Sequence, residues 1–549
     1  MNQKKQSEFL IRSKAVFTGT SRVPKPHTIL VEGKKIKKLL PWEHGKQYGK
    51  LPLYDYGEQL IMPSFIDAHT PLFSGAVNYS DYVCDELGTC KSETECAKMI
   101  AAFAKEHPEY KRIRGAGWFI GNWESGAALP TKKSLDAVIS DRPVYLYCSD
   151  CHSMWMNSKA LEEAGIDKKK EPKGGQVVCL PDGSLSGLLL EPEAMKPAVD
   201  RYMEFTKEEQ KKVHRQFQQY LSANGIAAVS EMFADDYTTE TYGQYDVVKE
   251  LDWSGELCSH IFAYTKLFGY TKFEQFFRMK EYFSSDHFHI NGVKGFIDGV
   301  TETHTGMLLE PYEDRPDTCG DGVPLWPADK MEEEILAANR NGIQVRLHAI
   351  GDGAVRLALD LYEKSEKVNG TPDFYNTIEH IENISPEDID RFKGHKIIAS
   401  MQPYHVTLSN NKKVDQIGEV RAKLEWPVKT LLDHGAKIAC GTDYPVVDLN
   451  PFDTIYAAVT RKDDSGKIVC HNPWEALSME EVLKAYTKDA AEAYHAADWM
   501  GTIEEGKLAN LIVLSNNLFT IKEEEIRNTH VLVNFFEGER RFLWEKANM

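Results

Sequence analysis

An α/β chain built around a distorted (β/α)8 TIM barrel is the fold this sequence predicts. Three observations predict it. Apolar strand-like runs alternate with helical stretches through the middle of the chain, at residues 225–229, 343–347, 397–400 and 437–440. The helical stretches stop at glycines. Residues able to bind metals or protons recur where the strands end. Regular alternation implies a parallel sheet with right-handed crossovers. Over roughly 400 residues a barrel with insertions suits that alternation better than an open sheet.

The elements follow in chain order. Residues 15–17, 28–31 and 35–40 read as short strands, with Gly33 punctuating the latter two as in a hairpin. Helices are expected near residues 207–223, 330–340 and 428–434, ending before Gly225, Gly342 and Gly435, as helix C-termini often do. Ser478 and Glu481 have the S-x-x-E spacing of a capping box that opens another helix. Residues 509–514 and 530–536 again read as strands, with a turn at Glu537-Gly538-Glu539. The two ends are therefore expected to pair into a β-sandwich domain made of residues 1–60 and 500–549. The barrel takes residues 61–499. An insertion between barrel strands 1 and 2, residues 72–220, forms a subdomain or lid.

Composition excludes several classes. The 549 residues carry 65 basic and 83 acidic side chains, a net charge of −18. That balance argues against a basic surface gripping nucleic acid or an anionic membrane. No apolar run is long enough to span a bilayer. The basic N-terminal stretch is interrupted by Glu8, Arg12 and Lys14, so it does not read as a signal peptide, and a cytoplasmic location is expected. Ten cysteines are too sparse for a disulfide scaffold. Cys148-Ser149-Asp150-Cys151-His152 matches the C-x-x-C-H haem-attachment spacing, but haem attachment would require export. Buried thiols are the plainer reading.

Five strand ends carry the chemistry. They hold Asp67 and His69; Lys294 and Asp298; His348; Glu379 and His380; and Asp443. Alternate residues of a strand share a face, so Asp67 and His69 are expected to point the same way. Any one of these residues alone has a structural explanation. Together His69, Lys294, His348, His380 and Asp443 fall in order on successive strand ends, the nitrogen and oxygen ligand set of a metal hydrolase.

These segments resemble the amidohydrolase superfamily. The likeness is to its third amidohydrolase family, which includes N-substituted formamide deformylase-like metal-dependent hydrolases. It is carried by residues 62–69 (MPSFIDAH), 150–158 (DCHSMWMNS), 293–299 (VKGFIDG), 348–352 (HAIGD), 400–403 (SMQP), 441–445 (GTDYP) and 501–510 (GTIEEGKLAN). The resemblance implies that His69, Lys294, His348, His380 and Asp443 hold a divalent metal, zinc by analogy, as one ion or two. It implies a carbamate on Lys294 when two ions are bridged. It makes Asp443 the catalytic carboxylate that takes the proton from the water the metal activates. His152, Trp155, Asn157 and Gln402 are the expected substrate-binding residues. Trp118, Trp123 and Trp155 either line a pocket or form the insertion's own core. Glu191 is an alternative bridging carboxylate.

One departure matters. The family's H-x-H on strand 1 reads His69-Thr70-Pro71 here, and proline has no ligand atom. Asn510, where the family usually has Asp, is expected to be structural. The expected function is metal-dependent hydrolysis of a non-peptide C–N bond, amide or formamide in type, in a small molecule by metal-activated hydroxide. Two alternatives stay open. A deaminase of the same superfamily is disfavoured because no H-x-x-E begins at His348. A catalytically impaired ligand-binding relative is favoured by Pro71, while retention of the other ligands argues against it. A homodimer is open as the commonest closed assembly.

Overall fold

A computed structural model describes residues 8–123, 128–149, 153–167, 175–190, 192–232, 239–267, 273–320, 326–408, 412–468 and 470–544. The central element is an eight-stranded parallel sheet. Its strands in chain order are β1 (Phe65–Ile66), β2 (Ile226–Glu231), β3 (His260–Lys266), β4 (Phe288–Phe296), β5 (Gln344–Ala349), β6 (Asn376–His380), β7 (Ile397–Met401) and β8 (Lys437–Cys440). Each pairs with the next in parallel register. Past the ends of β1 and β8 the backbone also joins: the Ala68 amide donates to the Cys440 carbonyl at 3.0 Å, and the Asp443 amide to the His69 carbonyl at 2.7 Å.

These strands form because both faces are covered. β2 and β5 are buried at every position, although β5 alternates apolar residues with Gln344, Arg346 and His348. Helices Thr239–Trp253, Phe273–Phe283, Ala328–Arg340 and Asp352–Asn369 connect β2 to β6 in turn. The link from β6 to β7 departs from the alternation. It is a short 3-10 segment, Pro386–Phe392. The helix expected at 428–434 runs Val428–Asp433, and the one at 330–340 begins at Ala328. The capping box is present: the Ser478 hydroxyl accepts from the Glu481 amide, and Glu481 accepts from the Ser478 amide.

Strands from the two ends of the chain share one eight-stranded sheet, in the order Glu539–Leu543, Val531–Phe536, Leu511–Leu514, Leu60–Pro63, Glu8–Val16, Lys25–Glu32, Lys35–Pro41. Leu53–Asp55 pairs beside Glu8–Val16. Apolar side chains from both ends, among them Ile11, Ile29, Val31, Val513, Val533 and Phe535, pack into one core. Asn510 is structural: its side chain accepts from the Glu537 amide at 2.7 Å.

Residues Phe73–Phe217 form a separate compact unit. Its six-stranded sheet runs Gln176–Cys179, Leu185–Leu190, Ser153–Met156, Val144–Cys148, Ile113–Trp118, Val83–Cys84. Trp118, Trp123 and Trp155 meet in its core with ring centroids 5.9–6.3 Å apart. The described cysteines are free thiols. Cys151, His152 and Glu191 lie outside the described residues. Among the described residues, no helix is long and apolar enough to cross a membrane.

Gly441 sits where the first and last strands meet. A methyl group there would lie 2.4 Å from the His69 amide nitrogen and 2.8 Å from an Asp67 carboxylate oxygen. Those neighbours are backbone and a fully hydrogen-bonded carboxylate, so they cannot yield cheaply. Gly441→Ala is expected to destabilise the protein by about 1–3 kcal/mol. Urea denaturation followed by circular dichroism checks it, and an unchanged midpoint would contradict the close approach.

Candidate metal centre

Two histidines and a carboxylate converge just beyond the C-terminal ends of the barrel strands. One ligand atom each from His69, His380 and Asp443 lies within 4.8 Å of the other two. His69 Nε2 is 3.5 Å from Asp443 Oδ1, and His380 Nδ1 is 4.0 Å from Asp443 Oδ2. The His69 and His380 rings are 4.8 Å apart, and His348 is 4.5 Å from His380. Lys294, on β4, is buried and acts electrostatically on His69, His380 and Asp443.

The backbone works against local preference to achieve this. Thr377 and Glu379 on β6 face the barrel interior, where both contact Arg346. Strict alternation would send His380 to the other face. His380 instead has φ +76° and Asp443 has φ +59°, left-handed values that are uncommon outside glycine. Strain of this kind collects at functional sites, where surrounding structure holds it in place.

Each ring is oriented by a partner. Glu379 Oε2 lies 2.6 Å from His69 Nδ1. A carboxylate there accepts the Nδ1 proton and leaves the Nε2 lone pair facing Asp443. Gln402 Oε1 is 2.9 Å from His380 Nδ1 and accepts its proton. His348 Nε2 is 3.1 Å from the Gly299 carbonyl, which can only accept, so Nε2 carries the hydrogen. Asp298 holds the loop next to it, accepting from the amides of Ile350, Gly351 and Met307 at 2.9–3.0 Å. It is a loop clasp.

The charges favour a cation. Burial pushes His69 down to about 4, with Lys294 adding to the effect. Burial, with His348 and His69 next, holds His380 well below its ordinary value. Both rings are therefore neutral at neutral pH. Burial pushes the Asp443 carboxyl up and the Lys294 amine down, each partly offset by the other. Burial would raise Glu379 too, but Arg346 and then His69 hold it well below the usual carboxylate range. Neutral imidazoles beside a destabilised carboxylate are a donor set that suits a divalent ion.

Not every expected residue belongs here. Asp67 is fully buried but accepts from the His69 amide, the Thr442 amide and the Thr442 hydroxyl, so it braces the β1–β8 junction. It does not stand in for the missing histidine. Pro71 bridges to Glu231 at the start of helix Leu72–Tyr79. Trp155 is at the core of its own unit and its indole donates to the Thr131 carbonyl. Asn157 caps helix Ser158–Glu163 and is bonded to Val144, Ala160, Ile139 and Arg142. The polar atoms of Trp155 and Asn157, both expected at the substrate, are thus engaged in hydrogen bonds inside their own unit. Gln402 is buried at the centre, and its Nε2 has no hydrogen-bond partner among the described residues.

The sequence alone gave no role to Glu379 or Arg346. Glu379 directly precedes His380, so alternation reads it as facing away from the site. The signal that was available is a charge within a strand covered on both faces, where a charged side chain is almost never fully buried unless paired.

Comparison with known proteins gives three kinds of likeness. The sequence model described as "Amidohydrolase family" matches residues 54–542. Protein LONG AFTER FAR-RED 3 of Arabidopsis thaliana is 27% identical over 98% of this chain and 92% of its own length. N-substituted formamide deformylase of Arthrobacter pascens is 24% identical over 89% of each chain. The fold is that of an uncharacterized metal-dependent hydrolase from Pyrococcus horikoshii, with a TM-score of 0.77, 24% identity, and coverage of 94% of this chain and 99% of that one.

Glu379→Gln replaces an anionic acceptor with a neutral amide of the same shape. It is expected to weaken metal affinity or activity about 10–100-fold. Competition with a chromophoric chelator measures the affinity, and wild-type affinity and activity in the variant would remove Glu379 from the centre.

Proposed function

We propose, from the premise that this chain belongs to the amidohydrolase family, that it hydrolyses an amide- or formamide-type C–N bond in a small molecule. The family assignment makes it a metal-dependent hydrolase; the bond and substrate class are our reading. The observation that carries it is the convergence of His69, His380 and Asp443 within 4.8 Å. The similarity to N-substituted formamide deformylase supports the substrate class.

His69, His380 and Asp443 would hold the ion, with His348 and Lys294 completing the set. When bound, the ion acidifies water and polarises a carbonyl. The remaining work falls to the chain. Asp443, its proton affinity raised by burial, accepts a proton from the attacking water. It then returns that proton to the leaving nitrogen, acting as base and then acid. Gln402 holds His380 in place, and its unpartnered Nε2 offers a hydrogen-bond donor to substrate. Arg346 and Glu379 keep the His69 lone pair in position. Lys294, its amine favoured in the neutral form by burial, is suited to add to carbon dioxide. The new N–C bond forms, one proton leaves to solvent, and the resulting carbamate is an anionic oxygen donor.

A second reading rests on Pro71. The position that normally supplies a second histidine starts a helix here, which favours a ligand-binding relative with impaired turnover.

Elemental analysis of protein purified without chelators or an affinity tag, followed by an amine-release screen of amides and N-substituted formamides, separates the two. One or two ions per chain with turnover support the hydrolase. No turnover, with zinc content after reconstitution with zinc and bicarbonate unchanged by His69→Gln, supports the binding relative. On any substrate found, Asp443→Asn is expected to lower kcat about 10²–10⁴-fold while the ion stays bound. Full activity in that variant would overturn the proton-transfer role.

A further inference from the structure

A second cluster of nitrogen and oxygen donors lies at the other end of the barrel. His260 opens β3, and His287 immediately precedes β4. Glu537 comes from the turn between strands Val531–Phe536 and Glu539–Leu543 of the terminal sheet. One ligand atom from each lies within 4.8 Å of the other two. His287 Nε2 is 3.2 Å and His260 Nε2 is 3.7 Å from Glu537 Oε1. Metal–ligand bonds of about 2.0–2.2 Å place tetrahedral donor atoms about 3.3–3.6 Å apart. The two measured edges bracket that spacing.

His260 is 2% exposed, and neither of its ring nitrogens has a hydrogen-bond partner among the described residues. A buried imidazole without partners is costly. His287 Nδ1 lies 2.5 Å from Asp252 Oδ1. That is a carboxylate–histidine arrangement in which the other nitrogen is presented as a ligand. Lys34 Nζ is 2.6 Å from Glu537 Oε2, which leaves Oε1 to the rings. A cavity of about 780 Å³ is lined by His260 and Glu537, together with His289, Lys280, Asp286 and Trp499 among others.

We propose that His260 Nε2, His287 Nε2 and Glu537 Oε1 form a second divalent-metal site, for zinc or a neighbouring imidazole-binding ion, that fastens the terminal sheet to barrel strands β3 and β4. Three protein donors leave one tetrahedral position for water on the cavity side. Asp252 orients His287 without touching the ion. The site shares no residue with the centre at the C-terminal strand ends, so it does not depend on the proposed reaction.

Zinc chloride titration of the full chain against a chromophoric chelator, with elemental analysis after gel filtration, tests it. His260→Gln and Glu537→Gln are each expected to hold one zinc ion per chain fewer than the wild type. Asp252→Asn keeps all three ligands and is expected to weaken that site about 10–100-fold, which preserves the test if a ligand variant fails to fold. The same single-ion loss is expected when His260→Gln is added to Asp443→Asn, which separates this site from the other. Equal zinc content and affinity in the wild type and all three single variants would overturn the proposal. The cluster would then be an ion-pair network in which protonated His287 bridges Asp252 and Glu537.

Discussion

The buried ion pair between Arg346 and Glu379 is the contact on which the rest of the centre depends. Both side chains are fully buried, with Nε and Oε1 3.2 Å apart. Arg346 also donates to the Ala68 carbonyl and lies beside the rings of Tyr264 and Tyr494. Glu379 uses its other oxygen on His69. A polar floor thus runs across the barrel interior from β5 and β6 to the residues after β1. Buried ion pairs contribute little net stability against apolar replacements, but losing one partner costs about 3–5 kcal/mol. Here the pair fixes a histidine tautomer.

A second constraint comes from closing the sheet. β1 is only two residues long, so its junction with β8 rests on side chains as well as backbone. Asp67 clasps Thr442, and the Tyr494 hydroxyl donates to the Asp67 carbonyl at 2.5 Å. This clasp puts His69 beside Asp443, although more than three hundred residues separate them. Because Gly441 passes so close to His69, the junction has no room for a side chain.

The two histidine clusters, at opposite ends of the barrel, share part of their design. At each, burial lowers the pKa of imidazoles, His69 and His380 in the first and His260 in the second, while a carboxylate stands within ligand distance; His287 differs, pushed up to about 9 against burial by Asp252 and Glu537. At each, another carboxylate accepts from the far nitrogen of one ring, Glu379 for His69 and Asp252 for His287. They differ in setting. The first lies where barrel loops converge, and the second joins two sheets.

The barrel's alternating elements were legible in the sequence because period, glycine stops and capping chemistry are local properties. The helix at residues 207–223 and the β8 strand have the limits the pattern indicates. The order of His69, Lys294, His348, His380 and Asp443 along the chain was likewise a sequence property, since strand ends of a parallel barrel all face one way. Tertiary structure alone decided three things. It turned His380 inward through a positive φ that no pattern encodes. It gave Asp67 a bracing role, because Thr442, far away in the chain, claims its carboxylate. It brought His260, His287 and Glu537 together from elements far apart in the chain. Sequence determines which donors a chain owns and the local period that displays them. Which donors meet is set by packing, because closing a sheet makes neighbours of residues that no local interaction connects.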